Sequence, residues 1–226
     1  MLVLDIVAEE SGCDKGLLKR RKRNTFQPER NNLYMKDKVF NIVHMTKQNI
    51  EDSSIKRILE VNRGRVLKCK CNEINSIISE YIMDIRPYIK RAILSSLIKE
   101  AEYNINIDSL CIYDNDFVEL GEYFELAKKI RKISIISRKT NEIEAFIQKC
   151  YCKLGVKIDS SEGYINLYRA KLDLNEIIMN KSAFLNVDGY NMLVYADEAY
   201  FSVDEYASQL LKYETPIEYI CASLNM

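Results

Sequence analysis

A chain of 226 residues with 47% hydrophobic and 29% charged residues has the composition of a folded protein, which excludes disorder as the state of most of it. Three prolines and seven glycines leave no low-complexity linker, and no apolar run approaches the ~20 residues needed to cross a bilayer. Net charge is zero, but residues 1–100 hold 20 Lys/Arg against 13 Asp/Glu and residues 101–226 hold 13 against 20; both an anionic partner for the basic half and attraction between the halves are open.

The chain opens on an apolar run over Leu2–Val7, interrupted only by Asp5, which the pattern leaves without an assigned element. No basic region precedes it and no small-residue cleavage site follows, so a cytoplasmic location is expected, in keeping with seven cysteines, an odd number. Val7 to Arg20 resembles the helix-turn-helix of lactose-repressor-type regulators, with Ala8, Gly12, Leu18 and Arg20 at matching positions. That resemblance implies a nucleic-acid partner held through Lys19, Arg20, Arg21, Lys22 and Arg23. Gly16 would then sit inside the recognition helix at a cost of about 1 kcal/mol. The competing expectation is a β-hairpin turning at Gly12–Gly16 with a solvated basic strand after it.

Lys38–Met45 reads as a strand and Asp52–Val61 as a helix capped by Asp52 or Ser53. Arg65–Cys71 is a further strand candidate, after the turn signal Asn62-Arg63-Gly64. From Asn72 to Tyr103 the pattern is helical: Ile74, Ile77, Ile78, Tyr81, Ile82 and Ile85 form a stripe, which Ile89, Ile93, Leu94, Leu97 and Ile98 continue beyond Pro87. Pro87 should kink or restart this helix. His44, the one histidine, is expected to be structural, and the pairs Cys69/Cys71 and Cys150/Cys152 to serve packing, since zinc sites favour a two-residue gap.

After Asn106 strands and helices alternate. Leu110–Tyr113, Lys132–Ser137 and Val156–Ile158 read as strands. Phe117–Arg131 reads as a helix with Leu120, Phe124, Ala127 and Ile130 on one face, and a second helix, capped by Asn141, runs to Leu154 and stops at Gly155. Tyr164–Leu172 reads as a shorter helix, followed by strands at Glu176–Met179, Phe184–Val187 and Met192–Tyr195. Val203–Leu211 is a closing helix, and Pro216 begins a last one to Leu224. The fold class expected is α/β: a mostly parallel, Rossmann-like sheet covered on both faces over residues 105–226, with a smaller mixed, basic α/β subdomain over residues 1–104 that ends in the long kinked helix.

The strand, turn, helix and second strand from Leu110 to Asp159 resemble the dinucleotide-binding domains of shikimate dehydrogenase and glutamyl-tRNA reductase. The resemblance implies NAD(P) as cofactor and an oxidoreductase activity, with Arg138 placed to accept a 2′-phosphate. The family's first turn carries three glycines; here it reads Asp114-Asn115-Asp116-Phe117-Val118-Glu119-Leu120-Gly121, which keeps only Gly121 and sets three carboxylates where the pyrophosphate would lie. Each such carboxylate costs on the order of 1 kcal/mol at a partly buried site.

Asp114 and Asp116, after an apolar strand, also resemble the first motif of haloacid-dehalogenase phosphatases. That implies Asp114 as nucleophile, Asp116 as acid/base, Mg²⁺ between them, and Ser137 as the second-motif hydroxyl. Val118 and Glu119 depart from that motif, and the late acidic pair is missing at Ile177–Asn180, Asp197-Glu198 being a displaced substitute. The plainer expectation is a solvated turn in which Asp114 and Asp116 cap the following helix. In any of these cases the crevice at the carboxyl ends of the strands would be lined by Asp114, Asp116, Gly121, Ser137, Arg138, Asn180 and Ser182. The leading expectation is a non-catalytic or ligand-sensing protein with a small-molecule ligand.

Overall fold

The computed structural model describes residues 1–6, 28–35, 37–103, 107–161, 167–178, 181–205 and 207–225. The chain is α/β and forms two compact units, Met1–Ile85 with Phe201–Met226, and Arg86–Tyr200. The division differs from the expected boundary after residue 104. The long helix belongs with the second unit, where it packs on a neighbouring helix and an edge strand, and the C-terminal segment returns to the first. The segment 7–27, with the helix-turn-helix resemblance and the basic run Lys19–Arg23, lies outside the described residues, as does Asn180.

In the first unit, strands β1 (Leu2–Ile6), β2 (Glu29–Met35) and β3 (Lys38–Met45) form a sheet in the order β1-β3-β2, with β1 parallel and β2 antiparallel to β3. The period-two alternation of strands puts Leu2, Leu4, Val43 and Met45 on one face. There they bury against Ile55 and Leu59 of helix α1 (Ser53–Val61) and Ile74 of helix α2 (Asn72–Ile77). Asp52 caps α1 as expected, accepting from Ser54 N–H at 2.8 Å. The second face buries Val3, Phe40 and Ile42 and is met by the 3₁₀ segment Ala207–Tyr213, where the sequence pattern had suggested an α-helix over Val203–Leu211. Helix α6 (Ile217–Asn225) follows Pro216 as predicted, and Lys38 Nζ donates to its Ser223 carbonyl at 2.8 Å.

Two expectations fail here for local reasons. Arg65–Cys71 is not a strand: only Val66 bridges, to Leu2 and Ile82. The buried side chain of Asn75 accepts from Cys69 N–H at 3.1 Å and donates to Cys69 O at 2.7 Å, taking the groups a ladder would use. The helical stripe from Asn72 is likewise broken. α2 ends at Ile77, because Tyr81 O is drawn to Gly64 N–H at 2.9 Å and Ile82 bridges to Val66. A new helix, α3 (Arg86–Tyr103), starts with Pro87 in its first turn, where the missing N–H is tolerated.

The second unit continues with β4 (Ser109–Tyr113), α4 (Gly121–Lys129), β5 (Lys132–Ile136), α5 (Thr140–Leu154), β6 (Ile158–Asp159), β7 (Ala170–Ile178), β8 (Ser182–Val187) and β9 (Tyr190–Tyr195). The sheet order is β6-β5-β4-β7-β8-β9. The first four strands are parallel, and β8 and β9 form an antiparallel meander on β7. Order third-second-first-fourth among the parallel strands is that of a doubly wound half-sheet, with the reversal of strand order between β4 and β7.

The described helices of this unit line one face only, not two. α3 packs on α4 and β9, α4 packs on α5, and the covered face carries Leu110, Ile112, Ile133, Ile135, Leu172 and Leu185. On the opposite face Tyr168 covers Cys111 and Ile136, but Phe184, Leu193 and Tyr195 stay exposed.

Element bounds also shift. Tyr164–Leu172 does not give a helix at its described end. Ala170, Leu172 and Leu174 alternate with Lys171 and Asp173, and that alternation makes the strand β7. β6 keeps only two paired residues of its predicted neighbourhood. α5 begins at Thr140, so Asn141 lies inside it and caps nothing, while Gly155 closes it at φ 68° as predicted. α4 is shorter than Phe117–Arg131 because Phe117 turns inward, its ring 5.1 Å from Tyr123 and 5.5 Å from Phe146.

Candidate functional site

β4 ends at the reversal point of the sheet, and the turn that follows it is the natural place for chemistry in an open α/β fold. The next residue, Asp114, continues the parity of Leu110 and Ile112, so its side chain points under the helices. Its carboxylate is fully buried. Lys90 of α3 places its ammonium against Oδ1, and the hydroxyl of Tyr123 on α4 donates to Oδ2 at 2.6 Å. Lys90 and Tyr123 are themselves buried, so the three polar groups satisfy one another out of water. Burial, reinforced by the charge of Asp114, pushes the Tyr123 hydroxyl well above its ordinary pKa, so it stays a hydrogen-bond donor.

The expected solvated, helix-capping turn is therefore not what forms. Asp114 faces inward, and α4 has Leu120 at its N-cap position with no side-chain cap. The start of the turn is stitched down as well. Asp114 N–H donates to Ile136 O at 2.9 Å, Asn115 N–H to Asn175 Oδ1 at 2.7 Å, and Ser137 Oγ to Asn115 O at 3.2 Å. Asp116 is exposed and meets Arg86 at 3.4 Å. In a phosphate-binding turn the backbone N–H groups face a ligand; here those of Asp114 and Asn115 are occupied from within the chain.

The other predicted residues separate into two sets. Ser137 sits beside the turn and also accepts from Lys139 N–H at 3.0 Å. Arg138 is exposed just beyond β5. Gly121 opens α4 with no unusual φ, and a Cβ built on it meets no atom within 4 Å, so nothing in the fold requires glycine there. Ser182 is fully buried at the start of β8, its hydroxyl without a hydrogen-bond partner among the described residues.

Sequence reasoning missed Lys90, Tyr123 and Asn175. Lys90 had a visible signal: it stands three and four residues before Ile93 and Leu94, on the buried stripe of its helix, where a lysine needs an anionic partner.

His44 is held at both ring nitrogens, by Asp5 at 2.8 Å and Asn31 at 2.9 Å. Burial raises the thiols of Cys69, Cys111 and Cys150, which keeps them protonated and unreactive. In the first unit a groove of about 740 Å³ is lined by residues that include Arg30, Arg57 and Asn62, but the α1 terminus beside it is already occupied by its cap, Asp52. Among the described residues, no group of three or more His, Cys, Asp or Glu is placed to hold a metal ion, and no helix is long and apolar enough to cross a membrane. Set against known proteins, the chain matches no family model, no curated protein and no solved structure.

Proposed function

We propose that this is a non-catalytic, ligand-sensing α/β protein in which the turn after β4 is a structural keystone and not a reaction centre. The observation that carries the reading is the state of Asp114: fully buried, with one oxygen on Lys90 and the other on Tyr123. A nucleophilic carboxylate must reach its substrate, and a pyrophosphate cradle must offer free backbone N–H groups. Asp114 is out of reach of a substrate, and the first two N–H groups of the turn, those of Asp114 and Asn115, are already bonded to Ile136 O and Asn175 Oδ1. At the same carboxyl end of the strands the exposed cationic pair Arg138 and Lys139 follows Ser137, which bonds Asn115 O of the turn. That rim suits a small anionic ligand held by surface charge better than a dinucleotide.

The test combines binding and turnover on the full chain. Thermal shift and calorimetry against NAD(H), NADP(H), ATP, inorganic phosphate and citrate should give no response to the dinucleotides and a salt-sensitive response to the small anions that Arg138→Ala removes. Hydrolysis of an aryl phosphate with Mg²⁺ should not exceed background. Micromolar binding of NAD(P), or a phosphatase activity that Asp114→Asn abolishes while circular dichroism is unchanged, overturns the reading.

A further inference from the structure

β9 is the outer strand of the six-stranded sheet, and its inner side is fully paired with β8, from Ser182–Tyr195 to Val187–Tyr190. Which residues face β8 follows from two fixed points. Ala196 N–H donates to Lys181 O at 2.7 Å at one end of the hairpin. At the other, Asp188 (φ 51°) and Gly189 (φ 90°) make a two-residue turn of the type with two left-handed residues, which closes on the bonded pair Val187–Tyr190. Bonded and non-bonded pairs alternate along an antiparallel ladder. Tyr190, Met192 and Val194 therefore direct their backbone groups at β8, and Asn191, Leu193 and Tyr195 direct theirs outward. These three are exposed, and no strand pairing or other backbone hydrogen bond among the described residues reaches them.

Sheet edges in monomers are protected by lysine, proline, a bulge, extreme shortness or a covering element. The opposite edge follows the rule, since β6 has two residues. β9 does not: Tyr-Asn-Met-Leu-Val-Tyr holds no charge and no proline, and its register with β8 is unbroken. One face is open and largely apolar; the other is met by α3, which buries Val194 but leaves Met192 partly exposed, and α3 makes no backbone hydrogen bond to the outward groups of the strand. Leu193 and Tyr195 are 37% and 56% exposed beside Phe184 at 44%, and Met192 is 41% exposed on the other face.

We infer that β9 pairs with β9 of a second copy of this chain, antiparallel about a two-fold axis at Leu193. In that register Leu193 opposes the partner's Leu193 and Asn191 opposes the partner's Tyr195, so every outward backbone group of the three residues finds a complement, two bonds to each opposed pair. No other register centred on the strand engages all three. Leu193, Tyr195 and Phe184 of the two copies then close over one face, and Met192 over the other. The acidic ends do not oppose pairing, because Asp188 is neutralised by Arg169 at 2.6 Å and Asp197 by Lys99 at 2.5 Å. The partner is a second copy because the strand is its own complement in hydrogen bonding and in apolar content.

Light scattering after size exclusion of the full chain at micromolar concentration should give twice the 26.4 kDa chain mass. Leu193→Pro deletes an outward N–H and no bond to β8, a substitution edge strands tolerate. It should give the single-chain mass with an unchanged circular dichroism spectrum. Leu193→Lys, which sets two like charges on the axis, should do the same and serves if the proline variant misfolds. Amides of Asn191, Leu193 and Tyr195 should exchange slowly in concentrated protein and fast on dilution, while those of Met192 and Val194 stay protected in both. A wild-type chain of single mass, a dimer that survives both substitutions, or outward amides protected independently of concentration would each overturn the inference, the last by showing that something other than a second copy covers the edge.

Discussion

Lys90 and Asp114 meet in the interior of the second unit, the lysine side chain 7% exposed and the carboxylate 0%. They come from the start of α3 and the residue after β4, 24 positions apart in sequence, and they join the helix layer to the point where the strand order reverses. A pair so placed contributes little net stability compared with an apolar substitute, because both charges lose their hydration. Breaking it is another matter.

Lys90→Met alone leaves a buried carboxylate with only the Tyr123 hydroxyl, and Asp114→Leu alone leaves a buried ammonium. Each should cost about 3–5 kcal/mol in denaturant unfolding. The double variant Lys90→Met/Asp114→Leu should recover most of that loss, with a coupling energy of about 2 kcal/mol or more. Strictly additive costs would show that the two side chains do not depend on each other. An active-site carboxylate gives the opposite pattern, in which removal stabilises the fold and abolishes activity.

The same pair marks the limit of what the sequence discloses. β4 and β5 were legible because Leu-Cys-Ile-Tyr and Ile-Ser-Ile-Ile are short apolar runs between turn signals, and Gly155 because a left-handed stop needs glycine. Asp114 was visible as a residue, but its inward orientation was not: that depends on a lysine one helix earlier and a tyrosine one helix later, and no local pattern couples them. β7 was misread because Ala170 and Leu172 fit both a helical spacing and an alternating one; only the continuation to Leu174 separates the two. That the described helices share one face of the sheet had no signature in any single element.

Asn75 provides a second test of local reasoning. Its amide makes two hydrogen bonds to the backbone of Cys69 in a buried setting, where the polypeptide would otherwise run as a strand. Asn75→Leu keeps the volume and leaves that N–H and C=O without partners, at a cost of about 1–3 kcal/mol for each. Unfolding of the variant should show the loss with little change in denaturant slope. A neutral substitution would mean that water replaces the amide.

The pH dependence of stability has two flanks with worked signs. Hydrogen bonds from Ser54 to Asp52, from Arg169 to Asp188 and from Lys99 to Asp197 hold these carboxyls below their ordinary value of 3.8. A depressed folded pKa gives stability that is complete above 3.8 and is lost as pH falls through the folded values, so acid weakens the protein below that point. Tyr123 works in the other direction. Its hydroxyl is raised well above 10 by burial and by Asp114, so stability is complete below 10 and declines as pH rises, when only the unfolded chain can ionise there. Phenolate absorbance should appear together with unfolding for this residue, and Tyr123→Phe should make the alkaline flank shallower, the remainder coming from the other groups that burial raises, Tyr200, Tyr219, Cys69 and Cys111 among them. An alkaline flank unchanged in that variant would place the titrating group elsewhere.

The two glycines on either side of β5 and Arg138 separate a structural requirement from a ligand requirement. Gly155 adopts φ 68° at the end of α5, where an L side chain is strained, so Gly155→Ala should destabilise by about 1–2 kcal/mol. Gly121 has an ordinary backbone conformation at the start of α4 and open space around its missing Cβ. Gly121→Ala should therefore stabilise by about 0.4–1 kcal/mol, through the smaller entropy of the unfolded chain and the better helix propensity of alanine. In a dinucleotide-binding turn the last glycine is kept for close packing of helix on strand, and alanine there is at best neutral. A thermal midpoint that falls in Gly121→Ala by as much as it does in Gly155→Ala would show a close approach at α4 that contradicts the structural role assigned to this turn, whereas a rise would mean that the glycine is retained for neither packing nor phosphate.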